Sequence, residues 1–365
     1  MIKKIVLTGG PGSGKTTVLN KIKQVYEQQG IKVIIVSETA TELLNSGISF
    51  LDGTISLLDF QEMVLRLQLT KEDLVDRTID YSSKEDILIV YDRGTLDNCA
   101  YISKEEFDQI LERLGNIKSY GDLINKYDLV INLVGSKEFY TTENNKARSE
   151  GVQEALELGN RTLNSWIGHK NLKIVKPKDT IGEKINEVLN IINFELKKNR
   201  VKRQVKYSVD LNNTNLEYVL NNSKCSCIEQ VYLESDKGIE KRLRKIEFND
   251  SISYIFSVFK IVGGKKIIIE ERVIDKNIYN SLLDFKDKKC DIIRKKRYYF
   301  TYDGEYFYLD IFNDNKDVGI LEINVLENEK VRVPNFVCVL ENVTNNESYY
   351  NKMIASREGI VLDKK

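Results

Sequence analysis

Residues 9–16 of the chain read Gly9-Gly10-Pro11-Gly12-Ser13-Gly14-Lys15-Thr16. This stretch fits the pattern G-x-x-x-x-G-K-[ST], and it lies between an apolar run, Ile5-Val6-Leu7, and a segment with apolar residues at helical spacing. In the order strand, glycine loop and helix, such a stretch wraps its backbone N–H groups around a phosphate chain at the helix N-terminus. It therefore predicts a nucleotide-phosphate loop, in which Lys15 reaches the β- and γ-phosphates, Thr16 binds Mg²⁺ and Thr17 completes the nucleotide-binding residues.

The composition is typical of a folded protein with two domains. The chain has 365 residues, of which 41% are hydrophobic and 30% charged. Lys and Arg number 55, as do Asp and Glu, and the resulting zero net charge argues against a protein that coats nucleic acid or membranes. Its five cysteines are scattered, which is typical of free thiols in a reducing compartment. No apolar run approaches the length of a membrane span, so the sequence predicts a cytoplasmic protein.

The first part of the chain, residues 1–198, alternates strand and helix patterns. Short continuous Ile/Val/Leu runs predict strands at residues 4–7, 32–36, 87–90, 129–133 and 173–175. Helical spacing predicts helices at residues 15–28, 57–78, 104–114, 150–166 and 181–197. This alternation predicts an α/β domain with a doubly wound parallel sheet, which binds ligands at the carboxyl ends of its strands.

The second part, residues 199–365, has a different pattern of short strands and polar turns. Strands are predicted at residues 205–209, 228–233, 241–247, 254–260, 266–273, 292–300, 306–312 and 319–325, with one helix at 276–285. Because the strands follow one another with few helices between them, we expect an α+β domain built on an antiparallel sheet or barrel.

Charged side chains follow two of the strands predicted in the first domain. Glu38 comes after the second strand, and Asp92-Arg93-Gly94 comes directly after the third. Both positions face the phosphate loop in a doubly wound fold. A carboxylate there can hold Mg²⁺ or accept a proton, and an arginine can pair with a substrate oxygen. We therefore predict Asp92 and Arg93 to be catalytic, with Asp92 also on Mg²⁺, whereas Glu38 is either functional or a surface acid at a strand end.

Further along, Arg148 precedes a predicted helix that carries Arg161. An arginine before such a helix can close over a transferring phosphoryl group and neutralise its charge. Arg148 is the candidate for this lid role, and Arg161 is interpreted as a surface ion-pair residue. His169, the only histidine, is interpreted as a structural hydrogen bonder rather than a catalyst.

Several motifs in the first domain resemble a known family when taken together. In chain order they are the phosphate loop, Glu38-x-Ala40, Phe60-Gln61, Asp92-Arg93-Gly94-x-x-Asp97, Asn144-Asn145-x-Ala147-Arg148-x-Glu150 and Trp166-x-x-His169. They resemble the AAA-type P-loop domain of bacterial nicotinamide riboside kinase and, more closely, that of the TRPL translocation defect protein group. The resemblance implies a domain like that of a small-molecule kinase, with Glu38 or Asp92 as base or metal partner and Arg148 as lid arginine.

In the second domain, basic residues alternate along the predicted strands. Lys295 and Arg297 share one face of a strand, Arg242 and Arg244 share a face of another, and Lys260 ends a third. Basic residues that converge inside a closed sheet predict an interior that binds polyanionic phosphate. The alternative is that they are outward-facing charges that discourage aggregation at sheet edges.

A second resemblance covers residues 201–326. Its motifs are Lys206-Tyr207, Glu229-Gln230-Val231-Tyr232-Leu233, Arg242-Leu243-Arg244, Lys260, residues 293–298, Asp310-x-Phe312 and Leu321-Glu322-Ile323. They are similar to the CYTH, or triphosphate tunnel metalloenzyme, family, in which a barrel binds triphosphate through Arg and Lys while glutamates carry a divalent metal. A P-loop domain followed by a CYTH domain is also the arrangement of the TRPL translocation defect group.

The second domain departs from the CYTH pattern at its acidic positions. The leading Glu-x-Glu-x-Lys is replaced by Lys202-x-Gln204-x-Lys206, and the closing Glu-x-Glu by Glu322-x-Asn324. Glu271, Asp310 and Glu322 are the acids left for Mg²⁺ or Mn²⁺, which need several oxygen ligands together. We therefore expect this domain to bind a phosphate ligand, with triphosphatase activity as the lesser alternative.

Together these features predict an Mg²⁺-dependent protein that binds ATP or GTP and either hydrolyses it or transfers its γ-phosphoryl group. Its second domain would bind a nucleotide, a polyphosphate or a phosphorylated headgroup. One alternative is a nucleotide-switched binding module with little turnover. Another is a kinase joined to an RNA 5′-triphosphatase, against which the zero net charge counts. The acceptor and the choice between ATP and GTP are left open by the sequence.

Overall fold

The computed structural model of the protein describes residues 1–79, 85–115, 118–136, 151–197, 204–263, 265–313, 317–325 and 331–356. The chain divides into two compact units, Met1–Leu196 and Lys197–Lys365, called unit 1 and unit 2 below. None of the helices in these described ranges has the length and apolar character required to cross a membrane.

Unit 1 is built on a five-stranded parallel sheet. Its strands are β1 (Ile2–Gly9), β2 (Lys32–Val36), β3 (Ile87–Asp92), β4 (Leu129–Leu133) and β5 (Leu172–Val175), in the order β2-β3-β1-β4-β5. The central strands β1, β3 and β4 are buried along most of their length, as continuous apolar runs require when helices cover both faces. The sheet confirms the predicted doubly wound parallel fold.

Helices surround this sheet. They are α1 (Lys15–Gln28), α2 (Thr39–Asn45), α3 (Leu57–Thr78), α4 (Lys104–Arg113), α5 (Tyr120–Asn125), α6 (Val152–Trp166) and α7 (Ile181–Leu196), with a 3₁₀ helix at Thr95–Ala100. The sequence did not predict α2, α5 or the 3₁₀ helix. Each has seven residues or fewer, too short for a helical period to be recognised.

Unit 2 is built on a nine-stranded antiparallel sheet. Its strands are β6 (Gln204–Asp210), β7 (Lys224–Leu233), β8 (Ile239–Phe248), β9 (Ser251–Val262), β10 (Lys265–Ile274), β11 (Ile293–Tyr302), β12 (Glu305–Phe312), β13 (Val318–Asn324) and β14 (Val339–Asn342). They pair in the order β10-β9-β8-β7-β11-β12-β13-β6-β14. The short helices α8 (Leu216–Asn221), α9 (Lys276–Leu283) and α10 (Asn351–Ala355) and a 3₁₀ turn at Glu347–Tyr349 complete the unit. The antiparallel class of this domain is confirmed, while β14, α8 and α10 were not predicted.

The sheet of unit 2 curls so that one of its faces becomes an interior. Lys206 on β6 and Lys266 on β10 are seven strands apart, which in a flat sheet would separate them by about 34 Å. Yet the pKa of Lys266 is lowered by burial and, in addition, by the positive charges of Arg242 and Lys206. The carboxylates of Glu240, Asp310 and Glu322, on β8, β12 and β13, are also buried, as is expected for charges inside a curled sheet.

Helix α10 packs over the apolar part of this interior. Ala355 of α10 belongs to a core cluster with Tyr232, Ile293, Phe312 and Ile320, and Ile354 packs against it. These partners lie on strands β7, β11, β12 and β13, so α10 covers the inner face next to the charged side chains described below.

Candidate functional site

The phosphate loop lies between β1 and α1 in a conformation that requires its glycines. Gly14 has a backbone φ of 93°, a conformation that residues other than glycine adopt only at an energetic cost. A Cβ atom at Gly10 would lie 2.7 Å from the carbonyl oxygen of Ala155 on α6, too close for any larger residue. The motif predicted from sequence is therefore matched by the backbone geometry that it needs.

Lys15 begins α1, and its ammonium group lies over the loop. Its Nζ donates to the carbonyl oxygens of Gly9 and Gly10, each at 3.0 Å. Burial first, and then the positive charge of Arg93, lowers the pKa of Lys15 to about 8, although Glu38 and Asp92 oppose this shift. A buried lysine with this reduced proton affinity is stabilised by an anion brought close to it.

A second lysine, Lys184 of α7, holds the loop from the other side. Its Nζ donates to the carbonyl oxygens of Ser13 at 3.2 Å and Val134 at 2.9 Å. This role of Lys184 was not predicted, because a lysine on an amphipathic helix gives no sequence signal that distinguishes it from a surface charge.

The loop opens into a cavity of about 670 Å³, a volume typical of small-ligand sites. Seven of the predicted nucleotide-binding residues line it, namely Pro11, Gly12, Ser13, Gly14, Lys15, Thr16 and Thr17. Gly9 and Gly10 lie beneath the lining and contribute the carbonyl groups that Lys15 contacts. Glu38, Asp92 and Arg93 line the same cavity, so the structure brings these predicted catalytic residues together with the loop.

Glu38 and Arg93 form an ion pair on the cavity wall. The Nε of Arg93 donates to Oε1 of Glu38 at 3.1 Å, and the hydroxyl of Thr41 donates to Oε2 at 2.7 Å. Although burial opposes it, the charges of Arg93 and Lys15 hold the pKa of Glu38 below its usual value. Glu38 is thus an ionised carboxylate that orients Arg93.

Asp92 presents a different environment at the end of β3. Its Oδ1 is buried and has no hydrogen-bond partner in the described part of the chain. Burial first, and then the negative charge of Glu38, raises the pKa of Asp92 to about 6. Because Thr16 lines the same cavity, a carboxylate and a hydroxyl oxygen are available to a hard cation, and these residues fit Mg²⁺.

Asp97 organises the turn that follows β3. Its carboxylate accepts from the hydroxyl of Thr8 at 2.7 Å, the backbone N–H of Gly94 at 3.1 Å and the indole Nε1 of Trp166 at 2.6 Å. Arg93 has φ 74°, which is strained for a residue with a side chain, and this network holds the turn around it. The sequence motifs included Asp97 and Trp166 but gave neither a role, since their contact joins positions 69 residues apart.

Gly94 permits this contact, and replacing it is expected to destabilise unit 1. A Cβ atom at Gly94 would lie 2.4 Å from the ring of Trp166 and 2.9 Å from Val6. We expect Gly94→Ala to lower the free energy of unfolding by about 2 kcal/mol, because the buried indole cannot move aside freely. Urea unfolding followed by the fluorescence of Trp166, the only tryptophan, measures this loss. The control is Gly151→Ala, where nothing lies within 4 Å; an equal loss there would contradict the steric explanation.

His169 is a structural residue, as its sequence context indicated. It is buried, its Nε2–H donates to the carbonyl oxygen of Tyr127 at 3.1 Å, and its Nδ1 accepts from the N–H of Asn171 at 3.1 Å. Burial first, and then the charge of Lys170, lowers its pKa from 6.5 to about 4. The ring is therefore neutral in the folded protein.

This lowered pKa predicts a loss of stability in mild acid. Between the two pKa values the unfolded chain binds one proton more than the folded chain, so stability rises with pH and is lost as pH falls from 6.5 towards 4. Between about pH 7.5 and pH 5 we expect unit 1 to lose about 2 kcal/mol through this histidine. Urea unfolding of the wild type and His169→Gln across this range checks it. An unchanged pH slope in the variant would show that other groups cause the loss.

Of the two arginines considered near the predicted lid, the structure describes Arg161 but not Arg148. Arg161 is exposed on α6, in line with its interpretation as a surface residue. Arg148 and the motif around it lie within residues 137–150, outside the described residues. The lid role of Arg148 therefore stays a prediction.

In unit 2, five side chains of the inner face form a closed network of ion pairs. Lys206 contacts Glu322 at 2.8 Å, and Arg297 contacts Glu322 at 3.0 Å. Arg297 also donates to Oδ1 and Oδ2 of Asp310 at 2.6 and 2.7 Å, and Lys295 contacts the same carboxylate. Although burial opposes it, Lys206 and Arg297 hold the pKa of Glu322 well below its usual value.

A second group of charges lies on β8 and β10. Arg244 donates to Glu271 at 2.9 Å, and the guanidinium of Arg242 lies 4.4 Å from the ring centre of Phe259. Both arginines were predicted to point inward, and their cross-strand partners support this. Arg242 lies opposite Tyr232 and Arg244 lies opposite Gln230, and both partners are buried on the inner face.

The prediction that Lys260 joins this interior is wrong. Lys260 is exposed, and its neighbour Phe259 is the residue of β9 that points inward. Successive residues of a strand face opposite sides of the sheet, so Lys260 lies on the outer face. Lys266 of β10 is the inward lysine instead, and its Nζ contacts both oxygens of the buried Glu240 at 2.7 Å. Neither Lys266 nor Glu240 was predicted to lie in this interior.

Two of the three acids predicted to bind a metal in unit 2, Asp310 and Glu322, are engaged in ion pairs. Both oxygens of Asp310 and both of Glu322 already contact Lys or Arg nitrogens, so a cation would have to displace those partners. Where the CYTH pattern has glutamates, Gln204 donates to Glu322 at 2.8 Å and Asn324 donates to Tyr308 at 3.0 Å. In the described part of the chain, no group of three or more His, Cys, Asp or Glu residues is placed to hold a metal.

The chain is similar to several solved structures and to a family model. Two of the solved structures are titled as the hypothetical protein NE1496 and the inorganic triphosphatase NE1496, and each covers 42% of this chain with a TM-score of 0.30. The first is 22% identical in sequence and is covered over 97% of its own length. The second is 21% identical and is covered over 93% of its length. The PH1819 protein of Pyrococcus horikoshii OT3 is similar over 34% of this chain and 80% of its own, with 19% identity and a TM-score of 0.28. No curated protein matches the chain. Residues 4–184 match the family model described as the AAA domain. Unit 1 therefore contains an AAA-type P-loop domain.

Proposed function

We propose that unit 1 binds ATP or GTP together with Mg²⁺ and either hydrolyses the nucleotide or transfers its γ-phosphoryl group to a small acceptor. The observation that carries this proposal is the single cavity in which Lys15 and Thr16 of the phosphate loop face Asp92 and Arg93. Its volume of about 670 Å³ exceeds what a triphosphate chain alone would fill, which leaves room for a nucleoside or an acceptor.

Each charged group of the cavity has a distinct part in this proposal. The loop N–H groups and Lys15 bind the phosphate chain and stabilise the negative charge that develops on it. Thr16 and Asp92 would hold Mg²⁺, which when bound neutralises phosphate charge. Glu38, fixed as a carboxylate, orients Arg93 towards the transferring group. Asp92 is the alternative proton acceptor, because its raised pKa is closer to neutral pH than that of Glu38.

The choice between hydrolysis and transfer is tested by measuring phosphate release from ATP and GTP with Mg²⁺, with and without added alcohol acceptors.

Replacing Asp92 is expected to lower the turnover number about a hundredfold, whether the reaction is hydrolysis or transfer, because its carboxylate acts at the reacting centre. Asp92→Asn preserves the size of the side chain, and Asp108→Asn on the exposed face of α4 is the matched control. Equal turnover in the wild type and Asp92→Asn would contradict the role given to this residue.

We further propose that unit 2 binds a phosphorylated ligand rather than hydrolysing one. The basic inner face supports binding, and the commitment of Asp310 and Glu322 to ion pairs argues against a metal-dependent reaction there. The resemblance to the CYTH family and to the TRPL translocation defect group supports a phosphate-bearing ligand, such as a nucleotide, a polyphosphate or a phosphorylated headgroup.

A nucleotide-switched binding module is the second candidate. It is favoured by the same ion-paired acids of unit 2, which are suited to holding a ligand without turnover. The two candidates differ in rate: a kinase or NTPase releases or transfers many phosphoryl groups per chain, whereas a switch protein binds nucleotide tightly and releases less than one phosphate per chain per minute. Single-turnover and multiple-turnover assays on the full chain distinguish them.

A further inference from the structure

The outer face of unit 2 carries a pair of neighbouring thiols. Cys225 and Cys227 are the only two cysteines that lie close together in the sequence, and both are exposed on β7. Ser226 and Ile228, which alternate with them, are buried. Because successive residues of a strand face opposite sides of the sheet, the two thiols share the outer face, away from the charged interior.

The strand register places two further side chains beside the thiols. On β11, Lys296 lies opposite Cys227 and Tyr298 lies opposite Cys225. Residues directly opposite each other in an antiparallel pair have Cβ atoms about 4.5–5.5 Å apart on the same face. The hydroxyl of Tyr298 donates a hydrogen bond to the sulfur of Cys225. Two thiols, an ammonium group and a phenol therefore form a compact surface cluster.

Strand geometry decides how the two sulfur atoms can be joined. Residues two positions apart on a strand have Cα atoms about 6.7 Å apart, and their Cβ atoms point the same way. A disulfide needs Cβ atoms about 3.5–4.5 Å apart, so it would bend β7, which is paired with β8 and β11 on its two sides. A metal ion with sulfur bonds of about 2.3 Å needs the sulfur atoms only about 4.5 Å apart, which rotation about χ1 provides.

The number and type of ligands select the metal. Structural Zn²⁺ sites use four ligands, and hard cations such as Mg²⁺ use several oxygen atoms. In the ranges that the structure describes, no group of three or more His, Cys, Asp or Glu residues is placed to hold an ion. Cu(I) prefers thiolates and is held by two of them in a linear arrangement. Two thiolates around one Cu(I) carry one net negative charge, which the neighbouring Lys296 neutralises.

We propose that Cys225 and Cys227 form a two-coordinate site for Cu(I) on the outer face of unit 2. Binding forms two copper–sulfur bonds and releases two thiol protons to solvent, with no change in oxidation state. The hydrogen bond from Tyr298 stabilises the thiolate of Cys225. The site is separate from the proposed nucleotide and phosphate functions and does not depend on either.

The test is anaerobic titration of Cu(I) into the full chain in excess reduced glutathione, with bicinchoninate as a coloured competing chelator. We expect one Cu(I) per chain. Cys225→Ser and Cys227→Ser should each weaken binding about a hundredfold, because the second thiol of the pair acts at a high effective concentration and a single thiol does not. Cys338→Ser, which changes a partly buried cysteine outside the pair, is the matched control and should leave the affinity unchanged.

The counter-charge is tested separately. Lys296→Gln should weaken Cu(I) binding about fivefold, since it removes the positive charge beside a partly exposed anionic complex. Lys260→Gln, on the exposed outer side of β9, is the control and should have no effect. These side chains are exposed, so the variants should fold, and thermal unfolding verifies that they do.

Two results overturn the proposal. Equal Cu(I) affinity in the wild type, Cys225→Ser and Cys227→Ser would show that the pair does not act as one site. Zn²⁺ binding at these cysteines that is as tight as Cu(I) binding would show that further ligands complete the site, which contradicts a two-coordinate centre.

Discussion

Replacing Lys15 by alanine is expected to lower nucleoside triphosphate turnover by about a thousandfold. Lys15 begins α1, lines the cavity and lies next to Arg93 and Asp92. Its ammonium group contacts the phosphate loop, where it donates to the carbonyl oxygens of Gly9 and Gly10. Removing a preorganised donor from the charge that develops in a transition state costs a factor of about a hundred to a thousand, and the loss of nucleotide affinity adds to it.

The measurement is the steady-state rate of phosphate release or transfer from ATP and GTP at saturating Mg²⁺. Lys23→Ala, on the exposed side of the same helix α1, is the control and should retain the wild-type rate. If Lys15→Ala retained more than about a tenth of that rate, the loop would not be the place where the γ-phosphoryl group is stabilised.

Asp310→Asn is expected to destabilise unit 2 by about 3–5 kcal/mol. Asp310 is buried and neutralises two cations, Lys295 and Arg297, both of which have little exposure to solvent. An asparagine of the same shape leaves these two charges without their shared carboxylate in a low-dielectric interior. Breaking a buried ion pair by removing one partner has this cost because the remaining charge is uncompensated.

Urea unfolding followed by circular dichroism measures this loss. The matched control is Asp303→Asn, which removes an exposed carboxylate paired with Arg332 at 2.8 Å and should cost less than about 1 kcal/mol. Equal effects of the two substitutions would show that the inner network contributes no more than a surface ion pair.

The sequence predicted much of unit 1 because its signals are local. A glycine loop between an apolar strand and an amphipathic helix specifies its own geometry, and continuous Ile/Val/Leu runs identify strands covered on both faces. The contact between Asp97 and Trp166 was beyond such reasoning, since it joins residues far apart in sequence. Lys184 was missed for the same reason: its partners, Ser13 and Val134, lie in other segments.

In unit 2, the error at Lys260 and the missed Lys266 have a common cause in strand register. Alternation along a strand identifies two faces, but it does not tell which face is inside. On β10, the register shifts between Ile268 and Glu270, so that Lys266 and Glu271 both face inward although an odd number of positions separates them. A regular strand would put these two residues on opposite faces, and no sequence pattern marks the bulge.

The most direct test of the central claim assigns each activity to a unit. Phosphate release is measured for the full chain with ATP, GTP and tripolyphosphate in Mg²⁺ and in Mn²⁺, for the wild type, Lys15→Ala and Arg244→Gln. We predict that nucleotide turnover is lost in Lys15→Ala and kept in Arg244→Gln, and that tripolyphosphate is bound but not cleaved in unit 2. Tripolyphosphate cleavage that persists in Lys15→Ala and disappears in Arg244→Gln would contradict this account, since it would make the interior of unit 2 a working triphosphatase.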